Sequence, residues 1–79
     1  MKELDLHGLD HATAVDITEN FLLLESSKGD SNPLEVKIIT GNSPRLVSRI
    51  VSEVLDKHKF NWDSIPYNPG AIIVSEISL

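Results

Sequence analysis

The sequence predicts a small α/β (α+β) two-layer sandwich with the element order β-α-β-α-β-β. Three observations predict it: alternating apolar segments that run into glycine-containing turns, longer segments with helical apolar spacing, and a β-branched run near the end. Seventy-nine residues allow one domain spanning 1–79 and a single hydrophobic core.

Each element has a local reason. In residues 3–7, Leu4 and Leu6 face one way and Glu3, Asp5 and His7 the other, as in a half-buried strand, and Gly8 ends it. From Asp10, an N-cap residue, Ala14, Val15, Thr18, Phe21, Leu22 and Glu25 recur at helical spacing, with Ile17 and Leu24 widening the apolar stripe. Lys28 and Gly29 supply a basic last turn and a stop, and residues 30–33 form a loop. Residues 34–40 alternate again, Leu34, Val36 and Ile38 against Glu35, Lys37 and Ile39, and Gly41-Asn42 turns the chain. Ser43 is an N-cap with Pro44 at the first helical position, and Val47, Ile50, Val51, Val54 and Leu55 form an apolar face reaching His58. Residues 60–65 have strand-like composition, 66–70 read as a turn and 71–77 as a buried strand. Two strand-helix-strand units favour parallel neighbouring strands with both helices on one sheet face. Function in such sheets gathers at the carboxyl ends of the strands.

Composition narrows the function. The chain lacks cysteine, which removes disulfides, thiolate zinc sites and cysteine nucleophiles. Its apolar runs are too short to span a bilayer, and the N-terminus opens directly on a strand pattern, so a cytoplasmic location without membrane contact is expected. Net charge is −5, but it is uneven. Residues 1–35 carry two lysines against eight carboxylates (−6), and residues 36–79 carry Lys37, Arg45, Arg49, Lys57 and Lys59 against four carboxylates (+1). A phosphate-facing surface is therefore expected in the second half.

Two motifs carry chemistry. Asp5 and His7, two apart on a strand, leave the sheet on one face, so the carboxylate can fix the imidazole tautomer and raise its pKa, as general acid-base catalysis near neutral pH requires. The same spacing also suits plain surface residues. Thr40-Gly41-Asn42-Ser43-Pro44 leads from a strand end into a helix N-terminus, where free amides and the helix dipole favour an anion. Gly41 allows close backbone approach, and Arg45 and Arg49, one turn apart, could present charge beside a phosphate; the alternative is an ordinary capped helix with solvated arginines. His11 and His58 fit structural or surface roles. Trp62, Tyr67 and Phe60 could stack on bases, although aromatics in a final hairpin are more often core. No ligand spacing supports a metal site; a divalent cation as cofactor stays open.

Leu4-Asp5-Leu6-His7-Gly8 is similar to the L-D-x-H-G signature of the Smr (small MutS-related) domain family. Thr40-Gly41-Asn42-Ser43 resembles its second signature, T/H-G-x-G, with Ser43 in place of glycine, and Asn68-Pro69-Gly70 is a third, weaker echo. The resemblance covers about residues 3–78. It implies a sandwich similar to the C-terminal domain of bacterial translation initiation factor three, and nucleic-acid binding with endonuclease or nicking activity on RNA or DNA. Asp5 and His7 would then be the catalytic pair, and Thr40 and Gly41 the substrate-binding loop. Joined to the residue-level reading, this gives a substrate-binding set of Gly8, Thr40, Gly41, Asn42, Ser43, Arg45 and Arg49. A ribosome or a partner protein is a further expected partner, with targeting to it supplied by this surface or by another protein. A non-catalytic nucleic-acid-binding or adaptor module of the same fold is the alternative.

Overall fold

The computed structural model describes residues 2–27 and 34–76. Strand β1 is Lys2–Asp5, helix α1 His11–Ser26 and strand β2 Glu35–Ile39. Helix α2 joins Pro44–Ile50, a π-helical stretch Val51–Leu55 and Asp56–His58 in one unbroken run. Strands β3, Asn61–Ile65, and β4, Asn68–Ser75, complete the chain. This small mixed α+β domain has the expected element order. The predicted stop at Lys28-Gly29, the loop 30–33 and Ile77 lie outside the described residues.

The four strands form one mixed sheet in the order β1-β2-β4-β3. β1 and β2 are parallel neighbours, as a crossover through α1 predicts. The second crossover departs from expectation. β3 runs in the same direction as β2 but does not touch it, because β4 lies between them, antiparallel to both. The cause is composition. β4 holds the apolar run Ala71-Ile72-Ile73-Val74 and suits a central position, whereas the polar Asn61-Trp62-Asp63-Ser64 segment suits an edge.

The turn expected over 66–70 is shorter, with only Pro66 and Tyr67 outside the strands. Register then jumps between Ser64↔Ile72 and Ile65↔Asn68, so residues 69–71 oppose nothing on β3. They belong to β2's side instead. Ala71 pairs with Ile39, and the Gly70 carbonyl accepts from the amides of Thr40 at 2.7 Å and Gly41 at 3.2 Å.

Both helices share one core with Leu6, just past β1, and with Val36, Ile38, Ile72 and Val74 of the sheet. α1 contributes Ala14, Val15 and Leu22, and α2 contributes Leu46, Ile50, Val54 and Leu55. Each buried Val, Leu or Ile side chain among these is worth roughly 1.5–3 kcal/mol. Leu46 belongs to this face although residue spacing pointed to Val47 and Val51, which are only partly buried. Ile17 and Leu24, expected to widen the stripe of α1, are exposed. At the far end, Glu19 of α1 accepts from Lys57 Nζ at 3.2 Å and lies 2.7 Å from His58 Nε2. His58 therefore has a specific partner across the helices, beyond the helix dipole. Its hydrogen bond, reinforced by Lys57, holds the Glu19 carboxyl below its ordinary value. No helix among the described residues is long and apolar enough to cross a membrane.

Candidate functional site

Because β1, β2 and β3 point the same way, their carboxyl ends share an edge with the start of β4. The Asp5-to-Gly8 segment, the Thr40-to-Ser43 turn, the Pro66-Tyr67 turn and Asn68-Pro69-Gly70 all gather there.

Asp5 is the last residue of β1, on the face opposite the core, and His7 follows where the chain leaves the sheet. Asp5 Oδ1 accepts from the His7 amide at 3.1 Å and lies 2.6 Å from His7 Nδ1. The pair stays open to water, with the Asp5 side chain half exposed and that of His7 71% exposed. This hydrogen bond is the main reason why the Asp5 carboxyl sits below its ordinary value of 3.8 and the His7 imidazole above its ordinary value of 6.5. With Nδ1 engaged by Asp5, Nε2 has no protein partner among the described residues. It is the nitrogen left for proton transfer.

The second motif touches the first. Gly41 has φ 72°, and a Cβ placed there would stand 3.2 Å from His7 Cβ, so glycine is favoured both by the left-handed backbone and by the close approach to the His7 Cβ. Asn42 is left-handed as well, at φ 61°. Ser43 then caps α2: its Oγ accepts from Leu46 N at 3.3 Å and its carbonyl from Val47 N at 3.1 Å. The amides of Thr40 and Gly41 are engaged by Gly70, whereas those of Asn42, Ser43 and Arg45 have no protein acceptor among the described residues. These three are the free donors at the helix start.

The remaining expected site residues divide. Gly8, at φ 79°, lies at the same edge with open space around its Cα. Arg45 is exposed and has no ion-pair partner among the described residues. Arg49 does have one: Glu53, one turn on, takes its Nε at 2.7 Å, so its charge is partly neutralised. Thr40 is buried, and its Oγ1 has no hydrogen-bond partner among the described residues. Only its backbone reaches the turn.

Residue spacing did not single out His11 or Asn68 for this edge. His11 Nε2 lies 3.5 Å from Ser43 Oγ, joining the start of α1 to the cap of α2. Asn68 Oδ1 accepts from Gly70 N at 3.2 Å and shapes the strand start that faces Asn42. The capping pattern at Asp10 fixed where His11 sits, but the contact with Ser43 spans the two helices and has no local sequence signal. Among the described residues, no group of three or more His, Asp or Glu side chains is placed to hold a metal ion.

Beside this edge, α2 and the β3–β4 hairpin enclose a groove of about 930 Å³. Asn42 and Pro44 form one end of its wall, and Trp62 and Tyr67 are among its lining residues. The expectation that the final aromatics are core holds only for Phe60, which packs against the core; Trp62 is 41% exposed and Tyr67 fully exposed. The edge position of β3 explains the difference, since the two helices do not extend over it.

Comparison with protein-family models, curated proteins and solved structures finds no match for the chain.

Proposed function

We propose that this chain is a cytoplasmic nucleic-acid-binding domain of the Smr type, with endonuclease activity on RNA or DNA, in a sandwich like that of the C-terminal domain of translation initiation factor three. One observation carries the reading: His7, tied through Nδ1 to Asp5 at 2.6 Å, packs against the Gly41 turn that opens α2. A proton-transfer group and a set of free backbone donors thus adjoin. A phosphodiester would lie on the Asn42, Ser43 and Arg45 amides, with the Arg45 guanidinium beside it. On RNA, His7 Nε2 takes the proton of the neighbouring 2′-hydroxyl as that oxygen attacks phosphorus. The 5′-oxygen leaves and takes a proton from water, giving a cyclic phosphate and a free 5′-hydroxyl. Asp5 keeps the ring oriented and stabilises the imidazolium.

The test uses purified protein on single-stranded and structured RNA and on nicked and duplex DNA, with and without divalent cations. His7→Ala is expected to lower cleavage by about 10²–10⁴-fold, the usual contribution of a general base, while binding is retained. Absence of cleavage on every substrate would defeat the catalytic reading. The second reading, a binding module without catalysis, is favoured by the Arg49–Glu53 pair, which leaves Arg45 as the one unpaired cation in the second motif. It expects binding that is indifferent to His7→Ala.

A further inference from the structure

We infer that the groove between α2 and the β3–β4 hairpin is a subsite for unpaired nucleobases, so that the substrate is single-stranded nucleic acid whose bases stack on Tyr67 and Trp62. This rests on the proposed phosphate site at the start of α2 and adds to it a substrate class.

Three independent features point there. The first is continuity: Asn42 and Pro44, at the start of α2, are also groove wall, so a nucleotide held by its phosphate at that turn has the groove as its nearest neighbour. The second is the chemistry of the lining. It contains no Asp, Glu, Lys, Arg or His, and it combines two exposed aromatic rings with the amides of Asn42 and Asn68 and the hydroxyls of Ser48 and Ser64. A neutral, mainly apolar groove beside Arg45 matches the division of a nucleotide into a neutral base and an anionic phosphate. A charged peptide would find no counter-charge there. Its volume is within the range of small-ligand sites.

The third is Tyr67 itself. Pro66 and Tyr67 form the two corners of the hairpin, and Tyr67 has φ 63°. A turn with proline first and a left-handed second corner ordinarily places glycine or asparagine there. A bulky aromatic in that position is disfavoured locally, and its ring gains no burial in return, because it is fully exposed. The position makes sense as presentation. Trp62 lies deeper along the hairpin: its register partner is Val74, so its side chain projects on the same face as the helices, into the uncovered space over the edge strand. Tyr67 at the tip would take the base next to the held phosphate, and Trp62 one further along.

The chain has a single tryptophan, so its emission reports on the groove directly. The probes are a single-stranded oligoribonucleotide, the same length of ribose-phosphate chain lacking bases, and a duplex. Trp62 emission is expected to change with the oligoribonucleotide and not with the other two. Tyr67→Ala, at an exposed turn, is expected to weaken single-strand binding by about fivefold to a hundredfold, the range for loss of one base–aromatic stack, and Tyr67→Trp to restore it. Equal binding of the base-free chain, or wild-type affinity in Tyr67→Ala, would overturn the subsite while leaving phosphate binding and cleavage in place. A concentration-dependent emission change without nucleic acid would assign the groove to a second copy of this chain and overturn the inference. If no nucleic acid binds, the parent reading falls and the subsite with it.

Discussion

Asp5 and His7 support each other only within a pH window, and the direction of each shift defines it. The Asp5 carboxyl is lowered, so its contribution to stability is full above 3.8 and is lost as pH falls through its lower folded value. The His7 imidazole is raised, so its contribution is full below 6.5 and is lost as pH rises through its higher folded value. Both are complete between 3.8 and 6.5. In an NMR titration, the His7 ring of the wild type is therefore expected to titrate above 6.5, and Asp5→Asn to move its midpoint down; an unmoved midpoint would mean that the bond does not persist in solution. The two-residue spacing made this pair legible, because a strand returns alternate side chains to one face. The pairing of Arg49 is equally local, an i,i+4 relation to Glu53 that the charges of α2 read singly do not reveal. Thr40 continues the alternation of Val36 and Ile38, so its burial follows from the strand period rather than from the turn it opens.

At the scale of the element, α2 begins where the sequence placed it, because Ser43 and Pro44 carry local instructions that no tertiary contact has to supply. Ser43 also stands where the Smr signature has glycine, and the two roles can be separated. Ser43→Ala removes the oxygen that receives Leu46 N and is expected to cost about 1 kcal/mol in urea denaturation, whereas Ser43→Gly should cost only about a few tenths. If both cost the same, the serine is not acting as the cap. The second crossover was less legible. Alternation identifies a strand but not its neighbour, and nothing local in residues 71–75 says that this segment inserts beside β2. The Asn68-Pro69-Gly70 boundary was missed for a related reason: its composition is that of a turn, and only hydrogen bonds from Thr40 and Gly41 draw it into the sheet. The π-helical stretch of α2 likewise has no signature in Val51–Leu55.

For the whole molecule, the question is how a chain of net charge −5 would hold a polyanion. Most of its described cations are paired: Lys2 with Glu25, Lys37 with Glu3, Arg49 with Glu53 and Lys57 with Glu19. Of the others, Lys59 follows the carboxyl end of α2, away from the site, and Arg45 is at it. Nucleic-acid affinity is therefore expected to fall only shallowly with salt, with a slope of log K against log salt near that of one phosphate contact, about −0.7 to −0.9. A slope of about −4 or steeper, measured by anisotropy, would place binding on a different, more basic surface. The strand order also bears on how the chain is made. β4 follows β3 in the chain, yet it occupies an interior place in the sheet, bridging β2 to β3 and clamping the Thr40-Gly41 turn through Gly70. Until β4 is made, β1 and β2 can pair with each other but β3 has no neighbour in the sheet, and β4 must reach back from Ala71 and Ser75 to Ile39 and Glu35. Closure of the candidate edge is thereby deferred until Gly70 and Ala71 are in place. A truncated product would carry the Asp5–His7 motif in its sequence with no closed site to use it.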